Sequence, residues 1–267
     1  MNKLRQGLTS FDIKFLGIIL MVLDHIAQFF YFAHIPIWFH WLGRIVAPIF
    51  LFTSSEGFIY TRDRKKYMFR LLAGFWAMGI GNLLFNHYFT TGDTVIMNNI
   101  FGTIFMGVLY MQAIEWIKGG LKGGKTLLRG ILLALLPILT SVVMGYLMTL
   151  DLSSPINSYI MIGFMTFVPT LISVEGGFLL VMLAVLFYVF HGKKWAQVLS
   201  LIAMSILTLI LSPVDIFLVN YQWMMFLAAI PLVLYNGQKG RGMRNFFYFF
   251  YPAHIYLLAF IAYFIQK

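Results

Sequence analysis

Apolar runs of membrane-spanning length recur along the chain, each closed by a short polar segment. A spanning helix needs about 20 predominantly apolar residues. Stretches at residues 11–33, 41–60, 69–88, 96–116, 127–150, 174–190, 196–211, 216–235 and 246–265 meet or approach that length. A further apolar run at 155–172 is interrupted by Pro169. The pattern predicts an all-α, polytopic membrane bundle of roughly nine or ten transmembrane helices, read as one domain over residues 1–267.

Composition strengthens that expectation. Hydrophobic residues make up 61% of the 267 positions and charged residues 10%, against about 25% charged in an average soluble protein. Mean hydropathy is +0.86. So little charge cannot cover a surface facing water, and lipid is the solvent that fits. The first run carries Asp24 and His25 in its middle and lacks a small-residue cleavage site. It reads as a retained helix rather than a signal peptide.

Charge then sets the orientation. The net charge of +10 is not spread over one face, as nucleic-acid binding would require. It falls in short clusters between apolar runs, at Lys3/Arg5, Arg62 to Lys66, Lys118 to Arg129, Lys193/Lys194, and Lys239/Arg241/Arg244. Such clusters mark cytoplasmic connections; the loops between them hold Asp93, Asp151 and Asp215. If all five clusters are cytoplasmic, the run at 155–172 is re-entrant and the helices cross nine times, with the C-terminus outside. If that run crosses, the number is ten. The chain contains no cysteine, which excludes thiolate metal sites and cysteine-linked acyl intermediates.

Ionisable groups inside spanning segments are costly and mark functional sites by default. Here they include Lys14, Asp24, His25, Arg44, Glu56, Glu115, Glu175 and His254, with amides at Asn82, Asn86, Asn99, Gln222 and Asn236. Lys14 and His25 are 11 positions apart, about three turns and about 16 Å. They share one helical face with Ile18 and Met21. A neutral imidazole in that position suits a general base; packing or haem ligation by His25 and His254 are the competing readings. Asp24 points about 100° away from its neighbour and is expected to pair with Arg44 on the next helix. Pro48 is positioned to bend that helix, and Glu56 lies near its basic end. Thr61, Lys66 and Arg70 sit at the boundary, where they would meet an anionic ligand or serve as ordinary positive-inside residues.

The segments FDIKFLGIILMVLDHI, GRIVAPIFLFTSSEGFIYTRDRKKYMFRL, YNGQKG and FYPAHIYLL, in that order, resemble the TraX family of membrane proteins. Ala27 departs from that pattern, where a glycine follows Asp-His-Ile. The family is named for an F-pilin N-acetylase and resembles the acyltransferase-3 membrane superfamily. That superfamily's first helix carries a basic residue, ten positions and a histidine, the spacing of Lys14 and His25. The resemblance implies a bacterial cytoplasmic-membrane enzyme using acetyl-CoA, with no metal. It implies that Lys14 lies near the CoA and that His25 is catalytic. The intramembrane polar groups add Asp24, Lys14, Arg44, Glu56 and His254 to the candidate catalytic region, and a polyanionic donor would be faced by Lys14, Thr61, Arg62, Lys66, Arg70, Asn236, Lys239 and Arg241. The acceptor it favours is the terminal amine of a membrane-anchored protein, pilin or lipoprotein. Hydroxyl acetylation of an envelope glycan is the alternative, and intramembrane charge also leaves a transporter or flippase open.

Overall fold

The computed structural model describes residues 7–89, 95–97, 99–242 and 244–267. Lys3, Arg5 and Asp93, used above to orient the chain, lie outside them. Among the described residues the regular structure is helical, apart from one isolated bridge between Leu8 and Tyr235. In chain order the helices are α1 (Ser10–Phe29), α2 (Trp38–Gly43), α3 (Val46–Tyr60), α4 (Arg64–Tyr88), α5 (Ile100–Leu121) and α6 (Leu127–Leu147). They continue with α7 (Pro155–Phe167), α8 (Gly177–Val189), α9 (Lys194–Leu211), α10 (Ala229–Leu234) and α11 (Arg244–Gln266). Short 3-10 helices occupy Tyr31–Ala33 and Tyr221–Ala228.

Among the described residues six segments are long and apolar enough to cross a membrane: Trp38–Tyr60, Arg64–Tyr88, Ile100–Leu121, Leu127–Leu147, Lys194–Leu211 and Asn245–Gln266. The chain is a multi-pass membrane protein. α1 has the length, 20 residues, or about 30 Å, but carries Asp12, Lys14 and Asp24. Three expected runs are shorter than the apolar pattern implied. Residues 155–172 and 174–190 yield helices of 13 residues each, because Pro169 prevents continuation of α7 and Gly176 and Gly177 both take positive φ before α8. Residues 216–235 were expected as one helix; instead Asp215 accepts from the N–H groups of Phe217 and Leu218 in a turn. A 3-10 segment and the six-residue α10 follow. The run expected at 41–60 is interrupted at Arg44–Ile45, one turn before Pro48, whose missing N–H leaves the Arg44 carbonyl without its helical partner, as the position of the proline predicts.

The chain divides into two compact units. The first contains Met1–Thr53, Phe85–Val95 and Val189–Lys267; the second contains Ser54–Leu84 and Ile96–Tyr188.

In the first unit, α1 and α2–α3 form an antiparallel hairpin. Gly17 of α1 faces Ile49 and Phe50, and Asp24 faces Gly43. α11 lies against α1 in parallel, since Phe11 and Lys14 meet Phe247 while His25 meets His254. The start of α1 is tied to the segment before α11. Leu8 N–H donates to Leu234 O at 2.7 Å, Ser10 N–H to Gln238 O at 2.8 Å and Phe11 N–H to Lys239 O at 3.2 Å. Those bonds satisfy N–H groups that a helix start otherwise leaves unpaired, and a capping box between Thr9 and Asp12 adds to them. Gly240 permits this approach, because its φ is +67° and a Cβ there would lie 2.3 Å from Thr9 Oγ1.

Because α1 and α11 start side by side and run in parallel, the two helices begin on the same face of the bundle.

The second unit is tied by its own polar contacts. Asp63 accepts from Lys66 N–H at 3.0 Å, capping the start of α4 and holding the carboxyl below its ordinary range. Glu115 accepts from Arg64 at 3.0 Å and from the Tyr188 hydroxyl. Glu175 accepts the Asn99 N–H at 3.2 Å, and its carbonyl accepts Thr103 Oγ1 at 2.6 Å. Glu115 thus ties α5 to α4 and α8, and Glu175 ties the turn before α8 to the start of α5.

Candidate functional site

The polar residues of α1 point in two directions, as their helical angles require. On one side, Ile18, Met21 and His25 are 5%, 4% and 4% exposed, and the stripe they form with Lys14 faces α11. Lys14 Nζ lies 5.6 Å from the Phe247 ring centre. Among the described residues no carboxylate lies within ion-pair reach of this ammonium, and Lys239 is an electrostatic neighbour. An ammonium over an aromatic face keeps part of its solvation, while its charge remains available to an anion.

Three turns further on, His25 Nδ1 lies 2.8 Å from His254 Nε2. His254 is 7% exposed, and its Nδ1 lies 2.8 Å from the carbonyl oxygen of Phe250, one turn earlier on α11. The Phe250 ring stacks on His254 with centroids 5.0 Å apart, and Phe29 stacks on His25 at 6.0 Å. Two imidazoles in direct hydrogen-bond contact leave no gap for a porphyrin between them, so the two-histidine haem reading is incompatible with this geometry. Among the described residues no group of three or more metal-ligating side chains converges.

On the other side of α1, Asp24 binds the α2 end of the hairpin. Its Oδ2 accepts from Arg44 Nη2 at 2.8 Å and its Oδ1 contacts His40 Nδ1 at 2.8 Å. The expected Asp24–Arg44 pair is therefore present, at the α2–α3 junction rather than inside a continuous helix. Arg44 also donates to Gln222 at 3.4 Å and lies over Tyr221 at 5.4 Å. Tyr221 in turn stacks on His40 at 5.7 Å. His40 and Tyr221 were not anticipated. The position of His40 one turn before Arg44 was the available signal, since such residues share a helix face.

The remaining expected positions are distributed as follows. Asn236 and Lys239 belong to the segment against which α1 starts: Asn236 N–H donates to Leu8 O, and Asn236 Oδ1 accepts from Gln238 N–H. Lys239 and Arg241 are exposed. Glu56, Thr61, Arg62, Lys66 and Arg70 belong to the second unit. There Glu56 is buried on α3, at 7% exposure, and Lys66 pairs with Asp63 at 3.4 Å. The Nε of Arg70 is buried without a hydrogen-bond partner. Lys14 in one unit and Arg70 in the other are each chemically suited to an anionic group.

Residues 10–262 match a protein-family model described as TraX protein. No curated protein matches the chain, and no solved structure does.

Proposed function

The chain belongs to the TraX family, and from that premise we propose that it is a membrane acetyltransferase. In this reading it moves an acetyl group from cytoplasmic acetyl-CoA to an envelope acceptor across a bacterial cytoplasmic membrane. The acceptor we favour is the N-terminal amine of a membrane-anchored protein, pilin or lipoprotein. One observation carries the proposal: a buried imidazole and an ammonium with no carboxylate in reach among the described residues occupy a single stripe of α1, against a single helix, α11. A passive packing face has no need of either group.

The chemistry follows from the residues. His25 takes a proton from the acceptor amine as the nitrogen forms its bond to the thioester carbonyl carbon. The carbon–sulfur bond breaks, and His25 returns the proton to the leaving sulfur, giving the amide and the free thiol of CoA. Lys14, with Lys239 and Arg241 near the start of α1, would hold the anionic portion of the donor at the basic end. Asp24, Arg44 and His40 fix the hairpin that directs His25 towards α11.

Purified protein in nanodiscs, given radiolabelled acetyl-CoA and an envelope fraction, tests the proposal. The acceptor should gain the mass of an acetyl group, and His25→Ala should abolish transfer while the protein still inserts. Transfer by His25→Ala at the wild-type rate would sink the mechanism. Movement of a solute across liposomes without consumption of acetyl-CoA would indicate a transporter instead.

A further inference from the structure

The histidine pair also fixes where its protons reside. A carbonyl oxygen only accepts, so the 2.8 Å contact from His254 Nδ1 to Phe250 O requires a proton on that nitrogen. A neutral imidazole bears one N–H, which leaves His254 Nε2 with a lone pair. The 2.8 Å contact between that nitrogen and His25 Nδ1 then needs the His25 proton on Nδ1. The basic nitrogen of His25 is therefore Nε2.

We propose that His254, anchored to the Phe250 carbonyl, is a positioning residue that locks His25 in the Nδ1–H tautomer and thereby makes Nε2 the proton acceptor. Its consequence for catalysis rests on the acyl-transfer reading; the tautomer does not. The usual orienting group for a catalytic histidine is a carboxylate or a backbone carbonyl. Asp24 is adjacent in sequence, but its two oxygens face Arg44 and His40. The orienting group is instead a second imidazole, itself oriented by a carbonyl. When Nε2 gains a proton, His25 becomes a cation that donates from Nδ1 to a neutral acceptor. That proton can shift to His254 Nε2, leaving His254 the cation and its bond to Phe250 intact. Return of both protons restores the starting state. Among the described residues, the charged and titratable groups acting on His25 include Asp24 on α1, His40 and Arg44 on the α2 side, and His254 on α11.

The test is nitrogen NMR of the full chain in nanodiscs with 15N-labelled histidine rings, the His25 signals being assigned by their loss in His25→Asn. Wild type should show protonated Nδ1 and unprotonated Nε2. His254→Ala should shift His25 towards the other tautomer, while His254→Gln, which keeps an acceptor oxygen, should restore Nδ1–H. In the transfer assay His254→Ala should lower kcat by at least about 100-fold, with KM for acetyl-CoA unchanged and the acid limb of the pH profile displaced. His254→Gln should recover most of the loss. Finding the Nε2–H tautomer in wild type, or no change of tautomer in His254→Ala, would overturn the proposal. The expected tautomer in a protein that transfers no acetyl group would uphold the positioning role and remove the acyl-transfer reading.

Discussion

Replacing Gly43 by alanine probes the Asp24 cluster without removing any polar atom. A Cβ at position 43 would lie 2.2 Å from Asp24 Cγ and 2.5 Å from both its Cβ and Oδ1. Carbon atoms in contact normally sit about 3.5–4.0 Å apart, so the overlap exceeds an ångström. The neighbour is a short side chain on a packed helix and cannot swing clear as the tip of a lysine would. Asp24 must move, and its 2.8 Å contacts with Arg44 and His40 lengthen together. Side-chain exposures of 14% for Asp24 and 28% for Arg44 place the pair between a surface ion pair, worth about 0–1 kcal/mol, and a fully buried one, whose disruption costs about 3–5 kcal/mol. We take roughly 2–4 kcal/mol, from which alanine's better helix propensity returns about 1 kcal/mol. The net loss is about 1–3 kcal/mol, or a fall in Tm of about 3–10 °C. Tryptophan fluorescence on heating reads this directly, since Trp41 and Trp223 lie in the same unit. Gly145→Ala is the control, because nothing lies within 4 Å of a Cβ there; it should melt at or above wild type. If Gly43→Ala melted with Gly145→Ala, Asp24 would not be seated against α2 as described.

Other consequences are checked as readily. With no native cysteine, single cysteines at Lys122, Gly192, Gly242 and Lys267 report sidedness without background. Basic connections gathered on one face and a spanning Asn245–Gln266 predict that an impermeant thiol reagent labels the first three from the cytoplasmic face and the fourth from the opposite face; all four on one side would refute it. Lys14→Met should raise KM for acetyl-CoA about 10- to 100-fold, as loss of one charge-assisted contact implies, with kcat changed much less. Equal loss of kcat at saturating donor would remove Lys14 from the donor site. Thr9→Ala deletes half of the capping box on α1 and should cost about 1 kcal/mol in thermal unfolding.

Much of α1 was legible because a helix converts spacing into direction. The period of 3.6 residues places Lys14, Ile18, Met21 and His25 on one stripe, and all four face inward or towards α11. Similar membrane depth brought Asp24 and Arg44 together for the same reason. The meeting of His25 and His254 spans 229 positions, and no local period encodes such a contact. Hydropathy misjudged residues 216–235 for a different reason. Apolar content measures what an environment will accept, not whether the backbone continues as an α-helix, and the Asp215 turn decides that point.

Asp24 and His25 show how one turn of helix can serve two purposes. Adjacent residues diverge by about 100°, so the carboxylate faces α2 while the imidazole faces α11. The division matters energetically. A carboxylate bonded to His25 would hold a fixed negative charge against the base and compensate its protonation directly. In this structure the two carboxylate oxygens contact Arg44 and His40, and the group in hydrogen-bond contact with His25 is a second imidazole. Replacing Asp24 should therefore loosen the hairpin and lower Tm before it alters the tautomer of His25, whereas replacing His254 should alter the tautomer with little effect on the hairpin. Two side chains joined by a single peptide bond would then fail in separable ways, which a shared Asp–His couple would not permit.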